Sequence, residues 1–184
     1  MHGDKRRALF LDRDGVINED IGYLSRTEEV RFVPGIFSLC RRARELGYLI
    51  FAVTNQAGIG RGFYTEEDFQ LLMEWMRKEL AREGVAIDAV YHSPFHPEHG
   101  IGEYKRDHED RKPGIGMLTR AEAEFGVSLA ESVMVGDRCT DIAAANAAGL
   151  KQAFLIGGSD TACPGDYIAI ATLAEVEAWL QSEI

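Results

Sequence analysis

The segment that decides the fold is Ala8-Leu-Phe-Leu-Asp12-Arg-Asp14-Gly15-Val-Ile-Asn18. Its four leading apolar residues are typical of a short buried strand. Two carboxylates, Asp12 and Asp14, follow where that strand ends, and Gly15 lets the chain turn sharply behind them. Carboxylates this close repel each other unless a cation lies between them. The segment has a second explanation, in which Asp12 only caps a turn and Asp14 is solvated. The residues at the other strand ends distinguish a cation site from this alternative.

Short apolar runs alternate with amphipathic helical patterns along the rest of the chain. Alternation of this kind predicts an α/β fold, a Rossmann-like parallel sheet with helices on both faces. The predicted strands cover residues 8–11, 49–53, 89–91, 133–135 and 153–156. The predicted helices cover residues 36–46, 115–125 and 141–148, and a last helix runs from Thr172 to about Leu180. A further helix, with its apolar stripe at residues 69–80, begins at Thr65 and ends at Gly84.

The chain is acidic and of single-domain length. It has 184 residues, of which 46% are hydrophobic, and its formal net charge is −10. A chain of this length buries a sizeable core without a metal or disulfide to hold it. Its charge repels a phosphate backbone or an anionic leaflet, and no apolar run reaches the roughly 20 residues of a membrane span. We therefore expect no nucleic acid and no membrane as partner, one domain over residues 1–184, and a monomer.

The cysteines favour a reducing compartment. Cys40, Cys139 and Cys163 are odd in number, widely spaced and without a CxxC pair. The basic residues 1–7 precede only four apolar ones, too few for a secretory signal. We expect a cytoplasmic protein in which the cysteines are reduced and Cys139 is a small packed side chain.

Two more predicted strands also end in polar residues. Thr54-Asn55-Gln56 follows the second strand and offers a hydroxyl and two amides to phosphate oxygens. Asp137 follows the fourth strand and can complete a metal site with Asp12. Capping of the next segment would explain the threonine and asparagine equally simply.

Asp141 and Lys112 complete the pattern. Asp141 either caps a helix or lies behind the metal ligands. Lys112 ends the long segment 92–113, which lacks apolar rhythm, and can offset the charge of the carboxylates and of a phosphate. An Arg-Lys pair alone is usually a solvated surface feature. Together, the segments predict a phosphate site that contains a hard cation, Mg²⁺.

The four segments resemble the motifs of the haloacid dehalogenase (HAD) superfamily of phosphatases. The extended third motif, from Arg111 to Met117, is similar to that of the branch without a large cap, which holds heptose bisphosphate and histidinol-phosphate phosphatases. The resemblance covers about residues 8–158 and implies a Rossmann-like, HAD-type fold with no large cap domain. The matching motifs are Asp12-Arg-Asp14-Gly-Val-Ile-Asn, Thr54-Asn-Gln, Arg111-Lys112-Pro and Gly136-Asp137-x-x-x-Asp141.

This resemblance implies a Mg²⁺-dependent phosphomonoesterase that acts through a phospho-aspartyl intermediate. Asp12 would be the nucleophile and Asp14 the general acid and base, while Thr54 and Lys112 would stabilise the transferring phosphoryl group. The implied metal ligands are the Asp12 side chain, the Asp14 backbone carbonyl and Asp137, with Asp141 behind them.

The resemblance also suggests the substrate, a small phosphorylated sugar. The segment from Asn18 to Tyr23 resembles the first substrate loop of the heptose enzymes. The implied reaction removes the C7 phosphate of D-glycero-D-manno-heptose 1,7-bisphosphate, in the synthesis of nucleotide-activated heptose for a surface polysaccharide. The implied substrate contacts are Asp20, Tyr23, Asn55, Gln56 and Arg111.

Two alternatives stay open from the sequence. Histidinol phosphate or another small phosphate monoester could be the substrate, because loop sequences are weak evidence for specificity. A non-catalytic phosphosugar-binding protein fits less well, since binding alone needs no acid–base carboxylate beside a nucleophile.

The sequence departs from the branch in one respect. Relatives commonly hold a structural zinc ion in the loop before Arg-Lys-Pro, but the aligned ligand positions are Ser93, Phe95, His108 and Asp110 here. Serine and phenylalanine cannot supply the ligands of such a tetrahedral site. We expect no structural zinc, although four histidines in this loop leave a substitute site conceivable: His92, His96, His99 and His108.

Overall fold

The computed structural model describes residues 6–157 and 162–183. Six strands form one sheet in which every neighbouring pair is parallel, so the predicted Rossmann-like α/β fold is confirmed. In chain order the strands are β1 (Arg7–Leu11), β2 (Tyr48–Asn55), β3 (Ala89–Ser93), β4 (Val133–Gly136), β5 (Gln152–Ile156) and β6 (Ile168–Ile170). Their order across the sheet is β3-β2-β1-β4-β5-β6.

Within the described residues, six α-helices accompany the sheet, and five of them lie at or within a few residues of the predicted positions. Among the described residues, none of the helices has both the length and the apolar character that crossing a membrane requires. The helices are α1 (Ile36–Glu45), α2 (Ala57–Gly60), α3 (Glu66–Arg82), α4 (Gly116–Phe125), α5 (Cys139–Ala147) and α6 (Leu173–Ser182).

Alternate residues of each strand face opposite sides of the sheet, and helices bury both sides. On β1, Leu9 and Leu11 pack in a cluster with residues of α1, α3 and α6. Ala8 and Phe10 pack in a second cluster with residues of α4 and α5. Because neither face meets water, the strands carry near-continuous apolar runs, which is why they could be predicted from sequence.

Two short elements were not predicted from the sequence. β6 has only three residues, of which Ile168 and Ala169 are exposed, and it lies at the edge of the sheet. α2 is a single turn directly after β2, too short to show a helical stripe.

The strand order brings the carboxyl ends of β1, β2 and β4 together. β1 lies between β2 and β4, and the Asp12 amide donates to the Val135 carbonyl at 3.0 Å. The residues that follow these strands therefore meet, as expected for an open parallel sheet.

The loop between β3 and α4 is held together by aromatic stacking. The Phe95 ring lies flat against the imidazole of His108, with centroids 4.0 Å apart and an interplanar angle of 11°. The Arg106 guanidinium lies over the same phenyl ring, 4.6 Å from its centroid. Phe95 and His108 stand at two of the four positions that align with zinc ligands in the branch. Their rings thus join the two halves of the loop that a metal ion would otherwise join.

The expectation of reduced cysteines is wrong for two of the three. Cys139 and Cys163 form a disulfide bond, while Cys40 is a buried free thiol whose pKa burial raises to about 12. Cys139 begins α5 after β4, and Cys163 lies between β5 and β6. Since β4 and β5 are neighbours in the sheet, the segments that follow them meet despite a sequence separation of 24 residues.

We expect Cys163→Ser to lower the thermal unfolding midpoint of the oxidised protein by roughly 5–10 °C. Opening a loop of 24 residues returns chain entropy to the unfolded state, worth about 3 kcal/mol. Calorimetry with and without a thiol reductant measures the change. The reductant should lower the midpoint of the parent and of the Cys40→Ala control, but not that of Cys163→Ser. A parent midpoint that does not respond to reductant contradicts the disulfide.

We expect the β3–α4 loop to depend on the Phe95 ring and not on zinc. Phe95→Ala should destabilise the protein by about 1–2 kcal/mol, through loss of the ring stack and of buried area. Leu71→Ala, at an exposed position on α3, should change stability little. Denaturant unfolding checks both variants, and a zinc-selective chelator should leave the parent unchanged. One tightly bound zinc per purified chain would contradict this expectation.

Candidate active site

A cavity of about 560 Å³ opens where the three polar strand ends meet. The structure brings together there every residue predicted to be catalytic or to bind substrate, while the individual roles stay predictions. The predicted residues that line the cavity are Asp12, Asp14, Asp20, Tyr23, Thr54, Asn55, Gln56, Arg111 and Lys112.

Lys112 supplies a buried positive charge between the carboxylates of the site. Its side chain is only 2% exposed, and its ammonium lies 3.1 Å from Asp12 Oδ1 and 2.6 Å from Asp141 Oδ1. It also donates to the Val53 carbonyl at 2.8 Å. Burial alone would lower the pKa of Lys112, but the two carboxylates outweigh burial and raise it. The lysine is therefore a permanent cation between two acids.

The carboxylates around Lys112 carry more negative charge than one lysine can neutralise. The pKa of Asp12 is raised to about 8, mainly by burial; Lys112 lowers it, and Asp141, Asp137 and Asp14 contribute to the rise. Burial and the neighbouring Asp141 likewise raise the pKa of Asp137 to about 6. Shifts of this kind mark a site that favours a bound cation.

Three carboxylates are arranged to receive that cation. Asp12, Asp137 and Asp141 each offer an oxygen, and these atoms all lie within 4.8 Å of one another. Asp137 Oδ1 is buried and has no hydrogen-bond partner among the described residues. A set of hard oxygens, one of them unsatisfied, fits a small divalent cation such as Mg²⁺.

Glycines allow these carboxylates to approach. At Gly15, whose φ is +83°, a Cβ atom would lie 2.3 Å from Asp137 Oδ2. At Gly136, a Cβ atom would lie 2.2 Å from the Asp141 Cβ. Any side chain at either position would push an acid out of the site. Asp141 also caps α5 by accepting from the Arg138 amide at 3.0 Å, so the capping role considered from the sequence is confirmed, while its role behind the metal ligands stays a prediction.

The Asp14 side chain lies outside the three-carboxylate group. Its oxygens accept hydrogen bonds from Arg13 at 2.8 Å, from Asn18 at 3.0 Å and from Gln56 at 3.1 Å. Only its backbone carbonyl was predicted as a metal ligand, and that role stays a prediction. The fully buried Arg13 escaped sequence analysis, although it stands between the two key acids.

The side-chain amides of Asn55 and Gln56 are engaged within the protein. Asn55 donates to the Lys112 carbonyl and accepts from the Lys112 amide, both at 3.0 Å. Gln56 donates to Thr54 Oγ1 at 2.8 Å and accepts from the Tyr64 hydroxyl. These bonds fix Lys112 and Thr54 beside the cavity. The substrate contacts predicted for the two amides stay predictions, and their contacts here are to the protein itself.

The rim of the cavity is cationic in an otherwise acidic protein. Arg111 donates to the Phe95 carbonyl at 3.1 Å, and Arg138 pairs with Asp20 at 2.8 Å. Arg61 donates to the Tyr23 hydroxyl. Sequence analysis missed Arg61, Arg138 and His96 as cavity residues. Arg138 directly follows Asp137, which was a usable signal, whereas nothing in the sequence marks the turn that holds Arg61.

This arrangement suits transfer of a phosphoryl group. A buried carboxylate held by a lysine can attack phosphorus, and a nearby cation site can stabilise the charge of the transferring phosphate oxygens.

Comparison with known proteins agrees with this chemistry. A family model described as "HAD-hyrolase-like" matches residues 110–174. The D-glycero-alpha-D-manno-heptose-1,7-bisphosphate 7-phosphatase of Burkholderia mallei is 50% identical over 170 residues, which cover 92% of this chain and 87% of that protein. The D-glycero-beta-D-manno-heptose-1,7-bisphosphate 7-phosphatase of Vibrio cholerae is 45% identical, over 81% of this chain and 80% of that protein.

A solved structure gives the same answer for the fold. The D,D-heptose 1,7-bisphosphate phosphatase of B. bronchiseptica, complexed with magnesium and phosphate, superposes with a TM-score of 0.83 at 27% identity. The match covers 97% of this chain and 99% of that one. The predicted resemblance is thereby confirmed: the chain belongs to the HAD superfamily of phosphatases, in the family of the heptose-1,7-bisphosphate 7-phosphatases.

Proposed function

We propose that this protein hydrolyses the C7 phosphate of D-glycero-D-manno-heptose 1,7-bisphosphate. The observation that carries the proposal is the Lys112 ammonium between Asp12 and Asp141, in a cavity that also contains Arg111. The first group suits the reacting phosphate, and the arginine suits a second anionic group on the same substrate. The names of the relatives support a heptose bisphosphate as that substrate.

We propose Mg²⁺ as the cofactor, held by Asp12, Asp137 and the Asp14 backbone carbonyl, with Asp141 behind them. The unsatisfied Asp137 oxygen and the raised pKa of Asp12 support this assignment. When bound, Mg²⁺ would neutralise charge on the phosphoryl oxygens and keep Asp12 ionised.

Asp12 is the nucleophile in this proposal. Its Oδ1 accepts from the Arg13 amide at 2.7 Å and faces Lys112, which leaves Oδ2 to form the bond to phosphorus. Attack breaks the bond between phosphorus and the C7 oxygen and yields an aspartyl phosphate. Lys112 and the Thr54 hydroxyl stabilise the phosphoryl oxygens during the transfer.

Asp14 moves the protons. It gives one to the departing sugar oxygen, then accepts one from the water that hydrolyses the aspartyl phosphate. Arg13, Asn18 and Gln56 hold this carboxylate at the cavity wall, and its side chain is 23% exposed. It is therefore oriented without being shut away from the substrate.

The wider setting is proposed on chemical grounds. A doubly phosphorylated sugar does not cross a bilayer unaided, since burying its charges in hydrocarbon is too costly. We propose that the chain acts in the cytoplasm, as a monomer, on a substrate made in the same compartment for nucleotide-activated heptose synthesis. The sequence favoured the cytoplasm partly because reduced cysteines were expected. Because Cys139 and Cys163 form a disulfide bond, the cysteines do not support that location.

The first test is substrate preference. We expect kcat/KM for a heptose 1,7-bisphosphate to exceed that for histidinol phosphate by at least about 100-fold, because only the sugar bisphosphate offers two anionic groups to the cavity. Both anomers are assayed with Mg²⁺, and phosphorus NMR identifies which phosphate remains. A preference for histidinol phosphate, or release of the C1 phosphate, would reject the proposal.

The second test separates nucleophile from proton donor. Asp12→Asn should lower kcat by at least about 1,000-fold on every phosphate ester, since an amide cannot form the phospho-enzyme. It should remain folded, because the substitution removes one of several repelling buried acids. Asp14→Asn should slow the sugar substrate far more than p-nitrophenyl phosphate, whose leaving group needs no proton. Equal losses on both esters would remove Asp14 from acid catalysis.

A further inference from the structure

Two arginines in the cavity lack acidic partners although the protein is rich in acids. Within residues 6–157 and 162–183, neither Arg61 nor Arg111 forms a salt bridge. The chain contains 30 acidic residues and a net charge of −10. Cations left without a carboxylate in such a chain, and placed at a substrate cavity, are available to an anionic ligand.

The protein holds the Arg61 side chain in place by aromatic contacts. Its guanidinium donates to the Tyr23 hydroxyl and lies 4.7 Å from the ring centroid of Phe63 and 5.4 Å from that of Tyr23. The two rings also meet edge to face, with centroids 4.5 Å apart. Only one of the guanidinium donors has a hydrogen-bond partner in the described residues, so the others remain for a ligand.

Tyr23 adopts an unusual backbone conformation to reach this position. It has a φ of +32°, the only positive φ of a non-glycine residue within the described segments. Strain of this kind is retained mainly where a side chain must point in a particular direction. Here, it keeps the phenol at the cavity wall, where Arg61 binds it.

His96 lines the same cavity as the two arginines and can act as a neutral donor. Its Nδ1 accepts from the amides of Glu98 at 3.2 Å and His99 at 3.1 Å, so the proton of the neutral ring is on Nε2. Burial lowers the pKa of His96, and Arg111 and Arg61 lower it further. The ring can thus donate one hydrogen bond from Nε2 without adding charge.

Close packing fixes the distance between Arg61 and His96. A Cβ atom at Gly60 would lie 2.2 Å from the Pro94 carbonyl oxygen, so α2 and the β3–α4 loop touch through their backbones. The Ile101 amide donates to the Gly60 carbonyl at 2.8 Å. Arg61 and His96 are therefore carried by two segments that cannot separate without breaking these contacts.

We propose that Arg61 and His96, with Arg111, form a distal anion subsite that binds the phosphate that is not hydrolysed. This inference rests on the proposed function, because it assigns the second phosphate of the same substrate. Two guanidinium groups and one neutral N–H donor match the charge and acceptor oxygens of a phosphate monoester. Arg61 and His96 thereby set specificity and take no part in bond breaking.

The test compares substrates with and without the distal phosphate. In Arg61→Ala, kcat/KM for the bisphosphate should fall roughly 10- to 100-fold, mostly through KM, because the contact exists before and during the reaction. The value for heptose 7-phosphate and p-nitrophenyl phosphate should stay within about threefold of the parent. Arg61→Lys should recover part of the loss, since it restores charge without the planar donor pair.

His96 offers an independent arm of the experiment. His96→Leu should weaken bisphosphate binding about 5- to 10-fold, whereas His96→Gln, which keeps an N–H donor near Nε2, should stay close to the parent. Lys105→Ala is the matched control, because it removes an exposed positive charge from the same loop outside the cavity. Thermal midpoints for all variants confirm that they are folded.

The outcomes separate the two proposals. If the parent does not hydrolyse heptose bisphosphates, the proposed function fails and the subsite fails with it. If the parent prefers the bisphosphate but Arg61→Ala and His96→Leu keep that preference in full, the function stands and the subsite is wrong. An equal loss in Lys105→Ala would show a general field effect and would also overturn the subsite.

Discussion

The site depends on one buried lysine that is surrounded by acids. Lys112 comes from the β3–α4 loop, Asp12 from the end of β1 and Asp141 from the start of α5, so a single ammonium joins three parts of the chain. Removing the positive charge from such a group is costly, because the carboxylates are left buried without compensation. When Asp12, Asp137 and Asp141 are all ionised, Lys112 neutralises one of their three negative charges. The double positive charge of one Mg²⁺ would balance the other two.

Hydrogen bonds fix both the backbone and the side chain of Lys112. Its backbone is held on both sides by the Asn55 amide, and its side chain ends on the Val53 carbonyl. Strand β2 thus positions the cation, while β1 and β4 supply the acids beside it. Gly15 and Gly136 are required at this point, since any side chain there would occupy the volume of a carboxylate.

The site residues that could be predicted from the sequence are those that directly follow a buried apolar strand. Asp12, Thr54 and Asp137 each come directly after a buried apolar run, so sequence order alone placed them at one edge of the sheet. Arg61 and His96 could not be found this way, because they lie on a one-turn helix and a long loop whose approach depends on packing at Gly60. The disulfide escaped for a similar reason, since Cys139 and Cys163 meet only through the neighbouring strands β4 and β5.

The Phe95–His108 stack has a consequence beyond the architecture of its loop. This loop ends in Arg111 and Lys112, so its shape sets where the Arg111 guanidinium and the Lys112 ammonium lie in the cavity. Where a metal ion holds such a loop, enzyme activity is tied to the supply of that element. Here, the stacked rings of Phe95 and His108 hold the loop, and both rings are part of the polypeptide itself. If this ring stack alone holds the loop, maturation of the protein does not depend on the supply of zinc.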